Sequence, residues 1–221
     1  MEARPQSVIL RANLASIGGE VIEEEISLGE TFKYDTVPGI QAWFDAEQIS
    51  GQNGQTLSRW QDQSARPNQD RSFNNVNGSP RLLSFALNGK PAVSFDGEDD
   101  QMWTGYNFNS ILHQTGYTMI TLARFTGGNN KQVITSRSND FYFGFHQDGI
   151  GLWRAGGNIY AFGDPIDNYW HLHVGTISDN SGDPRASFWQ DGILKVLESR
   201  ESDNQNFGPG QLQIGGKGNE N

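Results

Sequence analysis

Three dipeptides most constrain how this chain can fold. Asn88-Gly89, Asp148-Gly149 and Asp191-Gly192 each stand between apolar or alternating runs, and such pairs supply the positive φ angles that two-residue hairpins demand. Repeated hairpins predict an all-β chain. The runs between them agree. Phe141, Phe143 and Phe145 alternate with Tyr142, Gly144 and His146, so a period of two sets the phenylalanines on one face, where they are expected to line a core. Trp170, Leu172 and Val174 share a face in the same way, and Ser187 to Val196 reads as one complete hairpin. Tyr117 to Phe125 shows little alternation, which predicts a central strand covered on both sides.

Composition narrows the partners. A net charge of -10 and a pI near 4.7 argue against nucleic acid, whose phosphates require clustered Lys and Arg, and against anionic membranes. The chain has no cysteine, so disulfides and thiolate chemistry are excluded. The start, Met-Glu-Ala-Arg-Pro, lacks the basic, apolar and small-residue progression of a secretory signal, and no stretch has the length of a membrane-inserted span. With 221 residues the chain has room for one β domain plus an arm.

The arm is residues 1–36. Ser7 to Leu14 and Val21 to Leu28 are strand-like runs around Ile17-Gly-Gly-Glu20, which predicts an N-terminal β-hairpin. Such a hairpin is marginal alone in water, so it is expected to dock on its own sandwich or on a neighbouring subunit. Glu23, Glu24 and Glu25 make it acidic, and a solvated edge that discourages stray pairing is the plainer reading than a cation site.

From Gly39 to Gly216 the sequence resembles the laminin-G-like domains of the concanavalin A-like lectin and glucanase superfamily. The resemblance runs in order through Ile40-Gln-Ala-Trp-Phe-Asp-Ala46, then Trp60-Gln-Asp62-Gln-Ser64. It continues through Asn88-Gly-Lys-Pro-Ala-Val-Ser-Phe-Asp-Gly97, Tyr169 to Thr176, the Asp191-Gly192 hairpin and Leu212-Gln-Ile-Gly-Gly216. It implies a two-sheet antiparallel jelly-roll sandwich over 37–221, carrying the N-terminal arm. One departure matters: the family's further strand after Ile-Gly-Gly is absent here. A longer native chain, the arm, or a strand from another subunit would repair the gap.

The acidic turn after Phe95-Asp96-Gly97 offers Glu98, Asp99 and Asp100 as candidate calcium ligands, since calcium takes hard oxygen donors and the resemblance implies frequent calcium use. The loop lacks a spaced ligand pattern, and turn-forming acids are commoner; no cofactor is required. Asp62 and Asp96 read as turn anchors. His146, His171 and His173 form a weaker candidate metal set, because strand histidines usually occupy a half-exposed face. Trp103, Tyr106, Trp153 and Tyr160 stand in or beside Gly- and Asn-rich stretches and are the candidate glycan platform, packing under a loop being the alternative.

Related glucanases carry a Glu-x-Asp-x-x-Glu strand that this chain lacks, and it has no nucleophile elbow, phosphate loop or zinc pattern. The expectation is therefore a non-catalytic recognition or attachment module at an extracellular or virion surface. Its expected partners are a glycan or cell-surface polysaccharide, and protein subunits through the arm. A purely structural subunit is the second reading, and a polysaccharide-cleaving enzyme the third.

Overall fold

The computed structural model describes residues 7–12, 22–27, 37–64, 69–112, 116–127, 132–136, 142–146, 149–155, 158–177, 186–198 and 209–216. The chain divides into two compact units, Met1–Gln41 and Ala42–Asn221. In the first, β1 (Ser7–Ala12) and β2 (Ile22–Ser27) pair antiparallel, Val8 opposite Ile26 and Leu10 opposite Glu24.

The second unit consists of antiparallel sheets with almost no helix. Hairpin β4–β5 (Arg81–Leu87, Lys90–Ser94) turns on Asn88 and Gly89. Both turn residues have positive φ, 51° and 77°, as the dipeptide reading requires. Asp191 and Gly192 repeat those angles between β13 (Ala186–Gln190) and β14 (Ile193–Glu198). Asp148 and Phe141 lie outside the described residues.

A seven-stranded sheet has the order β11-β10-β9-β8-β15-β6-β3, and a four-stranded sheet the order β14-β13-β12-β7. The large sheet comprises β3 (Phe73–Asn77), β6 (Gln101–Asn107), β8 (Gln132–Ser136), β9 (Tyr142–His146), β10 (Gly149–Ala155), β11 (Asn158–Pro165) and β15 (Gln211–Ile214). To β13 and β14 the small sheet adds β7 (Tyr117–Arg124) and β12 (Trp170–Ile177).

The two sheets meet face to face. Phe143 of β9 sets its ring edge-on to Phe188 of β13 at 5.7 Å and to His173 of β12 at 6.4 Å. All three residues are buried, and each phenylalanine contributes about 2 to 3 kcal/mol by leaving water. A second core cluster lies under β3, β6 and β15. There Leu57, Phe73, Leu82, Met102 and Ile214 pack with Phe44, Trp60, Val93 and Phe95.

One expectation needs correction. Among the described residues, Tyr117–Arg124 is an edge strand of the small sheet, paired with β12 alone. Its burial alternates residue by residue, but Ile120 and Leu122 face outward, which hides the alternation in the sequence. The segment around Trp43 forms no ladder strand. Its backbone is held instead by a side chain, since Trp43 N–H donates to Asp62 Oδ1 at 2.9 Å. Among the described residues, no helix is long and apolar enough to cross a membrane.

Asp62 is the anchor its sequence context suggested. Besides Trp43 N–H it accepts from Ser64 N–H at 3.0 Å and from the Ser64 hydroxyl at 2.7 Å. Losing hydrogen bonds to a half-buried carboxyl group costs about 1 kcal/mol each, tempered by solvent access. Asp62→Ala is therefore expected to lower stability by about 2 kcal/mol in urea denaturation. An unchanged midpoint would show that the 43–64 segment is held by packing alone.

Candidate functional site

The acidic turn is built around Asp96 and Asp100. Asp96 Oδ1 accepts from the backbone N–H of Glu98 (2.8 Å), Asp99 (3.2 Å) and Asp100 (3.2 Å). These bonds, the one from Glu98 foremost, hold the Asp96 carboxyl below the usual carboxylate range. Asp100 is buried and faces inward, accepting from Ser79 N–H and, at 3.0 Å, from Asp96 N–H. Oxygens of Asp96, Asp99 and Asp100 lie within 4.8 Å of one another. Of the expected ligand set, Asp99 and Asp100 are thus brought together with Asp96, while Glu98 stands outside the cluster. The oxygens of Asp96 and Asp100 already serve backbone donors, so the turn has a complete structural account.

The aromatic candidates lie in strands rather than loops, and the structure does not gather them into one platform. Tyr106 on β6 lies beneath the Arg71 guanidinium, 4.7 Å from its ring centroid, and against Phe108, with its hydroxyl bonded to Ser110. Trp153 on β10 is the register partner of both Tyr160 on β11 and Phe143 on β9.

Trp103 is placed differently. Its neighbours Met102 and Thr104 are fully buried, so alternation along β6 turns Trp103 to the opposite face, where it is half-buried. Register places Asn75 of β3 on one side of it and Gln213 of β15 on the other, with Thr135 of β8 next in the row. Gln101 and Asn77 form the adjoining row. Gln213 is completely buried. Its Nε2 donates to Gln101 Oε1 and to the Gly216 carbonyl, each at 3.0 Å, while its Oε1 has no partner among the described residues. Asn75 Nδ2 reaches the Trp103 carbonyl at 3.3 Å. Sequence reasoning missed these amides, although Gln101-Met-Trp103-Thr and Gln211-Leu-Gln213-Ile both alternate polar with apolar. That period of two was the available signal.

A second polar constellation closes one end of the small sheet. His171 Nδ1 lies 2.6 Å from Asp191 Oδ2, and Nε2 lies 2.8 Å from Asp167 Oδ1. Burial opposes charge on this ring, but the bonds to Asp191 and Asp167 outweigh it and raise the imidazole above its usual range. Burial also works against the Asp191 carboxylate, yet its bonds to His171 and to Leu172 N–H hold it low. Asp167 is lowered by Tyr169 N–H and then by His171. With both nitrogens committed to carboxylates, His171 offers no lone pair to a metal. His173 stacks on His171 at 6.1 Å and is wholly buried. That burial, reinforced by charge on His171, pushes it down to about 4.

The face that carries Asn75, Asn77, Gln101 and Trp103 above the buried Gln213 is therefore the arrangement best fitted to an external ligand, combining a half-buried indole with amides that donate and accept. No family model, curated protein or solved structure matches this chain, so its function is read from these residues.

Proposed function

We propose that this chain is a non-catalytic recognition or attachment module that binds glycan, built on a laminin-G-like jelly-roll sandwich and working in an extracellular or virion assembly. The supporting observation is the row of Asn75, Trp103 and Gln213 on the sheet face opposite the core. A pyranose has an apolar face that stacks on an indole and a rim of hydroxyls that pair with amides. Trp103 supplies the first contact, while Asn75, Asn77 and Gln101 supply the second. Gln213 lies beneath and orients the Gln101 amide through its Nε2.

Among the described residues, Asp96 and Asp100 are engaged with backbone N–H groups and Asp167 and Asp191 with His171. This supports recognition over hydrolysis, which needs two carboxyls facing each other across a sugar.

Affinity electrophoresis through a panel of polysaccharides tests the reading. The chain is expected to be retarded by at least one of them, and Trp103→Ala to weaken that retardation about tenfold, the loss of one stacked sugar contact. Because the row contains no acid, a chelator is expected to leave retardation unchanged. Chelator sensitivity would move the site to Asp96, Asp99 and Asp100 with calcium. Equal migration of the chain across the panel would favour the structural-subunit reading, which the exposed apolar face of the small sheet independently supports.

A further inference from the structure

Strand β12 turns His171 and His173 inward and Trp170, Leu172 and Val174 outward. Register extends the outward set across all four strands. Ile120, Val174, Trp189 and Leu194 form one row, Leu122 and Leu172 the next, and Arg124 and Trp170 the third. Ile120 is 64% exposed, Leu122 52%, Leu172 43% and Leu194 45%. A sandwich that stood alone would alternate polar residues onto this face. The Arg124 guanidinium lies 5.2 Å from the Trp170 ring centroid. These rows contain one cation and no carboxylate, in a chain whose net charge is -10.

The same chain contains an element with the complementary deficiency. Ribbon β1–β2 is a two-stranded antiparallel pair, which cannot bury an apolar face by itself. Its register assigns Val8, Leu10, Ala12, Ile22, Glu24 and Ile26 to one face, apolar except for Glu24. Six residues per strand span about 20 Å, comparable with the eight-residue β7 and β12. If two small-sheet faces docked on each other, their Arg124 cations would share one interface. The ribbon's apolar face brings Glu24 instead.

We infer that the outer face of the four-stranded sheet is an interface that seats the N-terminal ribbon of a second copy of this chain, with Glu24 meeting Arg124. The apolar rows cover the ribbon's valine, leucine and isoleucines, and the ion pair sets which way the ribbon lies. This interface is separate from the Trp103 face, so it stands whether or not glycan binds.

Charge exchange in the full chain tests it. Sedimentation equilibrium is expected to show self-association that Glu24→Arg and Arg124→Glu each weaken about tenfold, and that the double variant restores. Leu122→Asp is expected to weaken it at least as much. Cross-linking a mixture of isotope-labelled and unlabelled chains is expected to join residues 7–27 of one copy to β7 or β12 of another. A monomer at every concentration would overturn the proposal. So would a double variant no better than the single ones, or cross-links found only within one chain.

Discussion

Gly215→Ala is expected to destabilise the protein by about 4 kcal/mol. Gly215 has φ 87°, a conformation that costs an L-residue about 1 to 2 kcal/mol. The added carbon would also lie 2.6 Å from the Asp100 carbonyl oxygen and 2.7 Å from Phe95 Cγ. Neither neighbour can give way cheaply. Phe95 packs against the core cluster of Leu57, Phe73, Leu82, Met102 and Ile214. Asp100 is pinned through its carboxylate to Ser79 and Asp96. Gly89 provides the control, since its φ of 77° is nearly the same but nothing lies within 4 Å of an added methyl. Gly89→Ala is expected to cost only about 1 kcal/mol. Urea denaturation of the two variants separates backbone strain from packing. If Gly215→Ala were no worse than Gly89→Ala, the close approach of β15 to the acidic turn would not exist in solution.

That close approach also shows what the sequence could disclose. Phe95-Asp96-Gly97 announces a turn, and Asp96 caps it with bonds to the next backbone amides, a local matter that a short stretch of sequence specifies. Asp62 was legible for the same reason. The close packing that bars a side chain at Gly215 comes from Phe95 and Asp100, more than a hundred residues away, and no local pattern records it. The hairpins at Asn88-Gly89 and Asp191-Gly192 were legible because two-residue turns depend on their own residues. The aromatic candidates were not, since which wall of a sheet a tryptophan joins depends on its strand partners. Trp103 meets amides and Trp153 is paired with Phe143, yet both stand beside glycine-rich sequence.

The misplacement of β7 has a further meaning. Tyr117 to Phe125 reads as a strand buried on both sides because Ile120 and Leu122 have the character of core residues. The structure partly buries one side and leaves the other exposed. Sequence hydrophobicity records burial in the functioning state, whereas a single chain shows only the burial it achieves alone. The discrepancy between the two is the physical content of the proposed interface between copies. The large sheet shows the opposite pattern, as Asn75, Gln101 and Trp103 facing away from its core remain compatible with water and with a hydroxylated ligand.

The stacked histidines predict a stability maximum near pH 6.5, because the two rings shift in opposite directions from the ordinary histidine value of about 6.5. His173 falls to about 4 in the folded chain. An unfolded chain therefore takes up a proton that the folded one refuses as pH drops below about 6.5, and stability declines toward pH 4. With about 1.4 kcal/mol per pH unit, this acid limb removes about 3 kcal/mol. His171 is raised, so the folded chain holds its proton more tightly. That contribution is complete below about pH 6.5 and fades as pH rises through the folded value. Asp167 and Asp191 are lowered, so their contribution is lost only when pH falls below the ordinary carboxylate range. His173→Phe keeps an aromatic ring between Phe143 and Phe188 and is expected to flatten the acid limb while leaving the alkaline limb in place. His171→Gln is expected to do the reverse on the alkaline side. It should also soften the acid limb, because removing charge from His171 relieves the repulsion that helps keep His173 neutral. Melting temperatures measured between about pH 4.5 and 8 resolve both limbs. Parallel profiles for wild type and His173→Phe would mean that His173 titrates normally and that its stacked, buried position is not kept in solution.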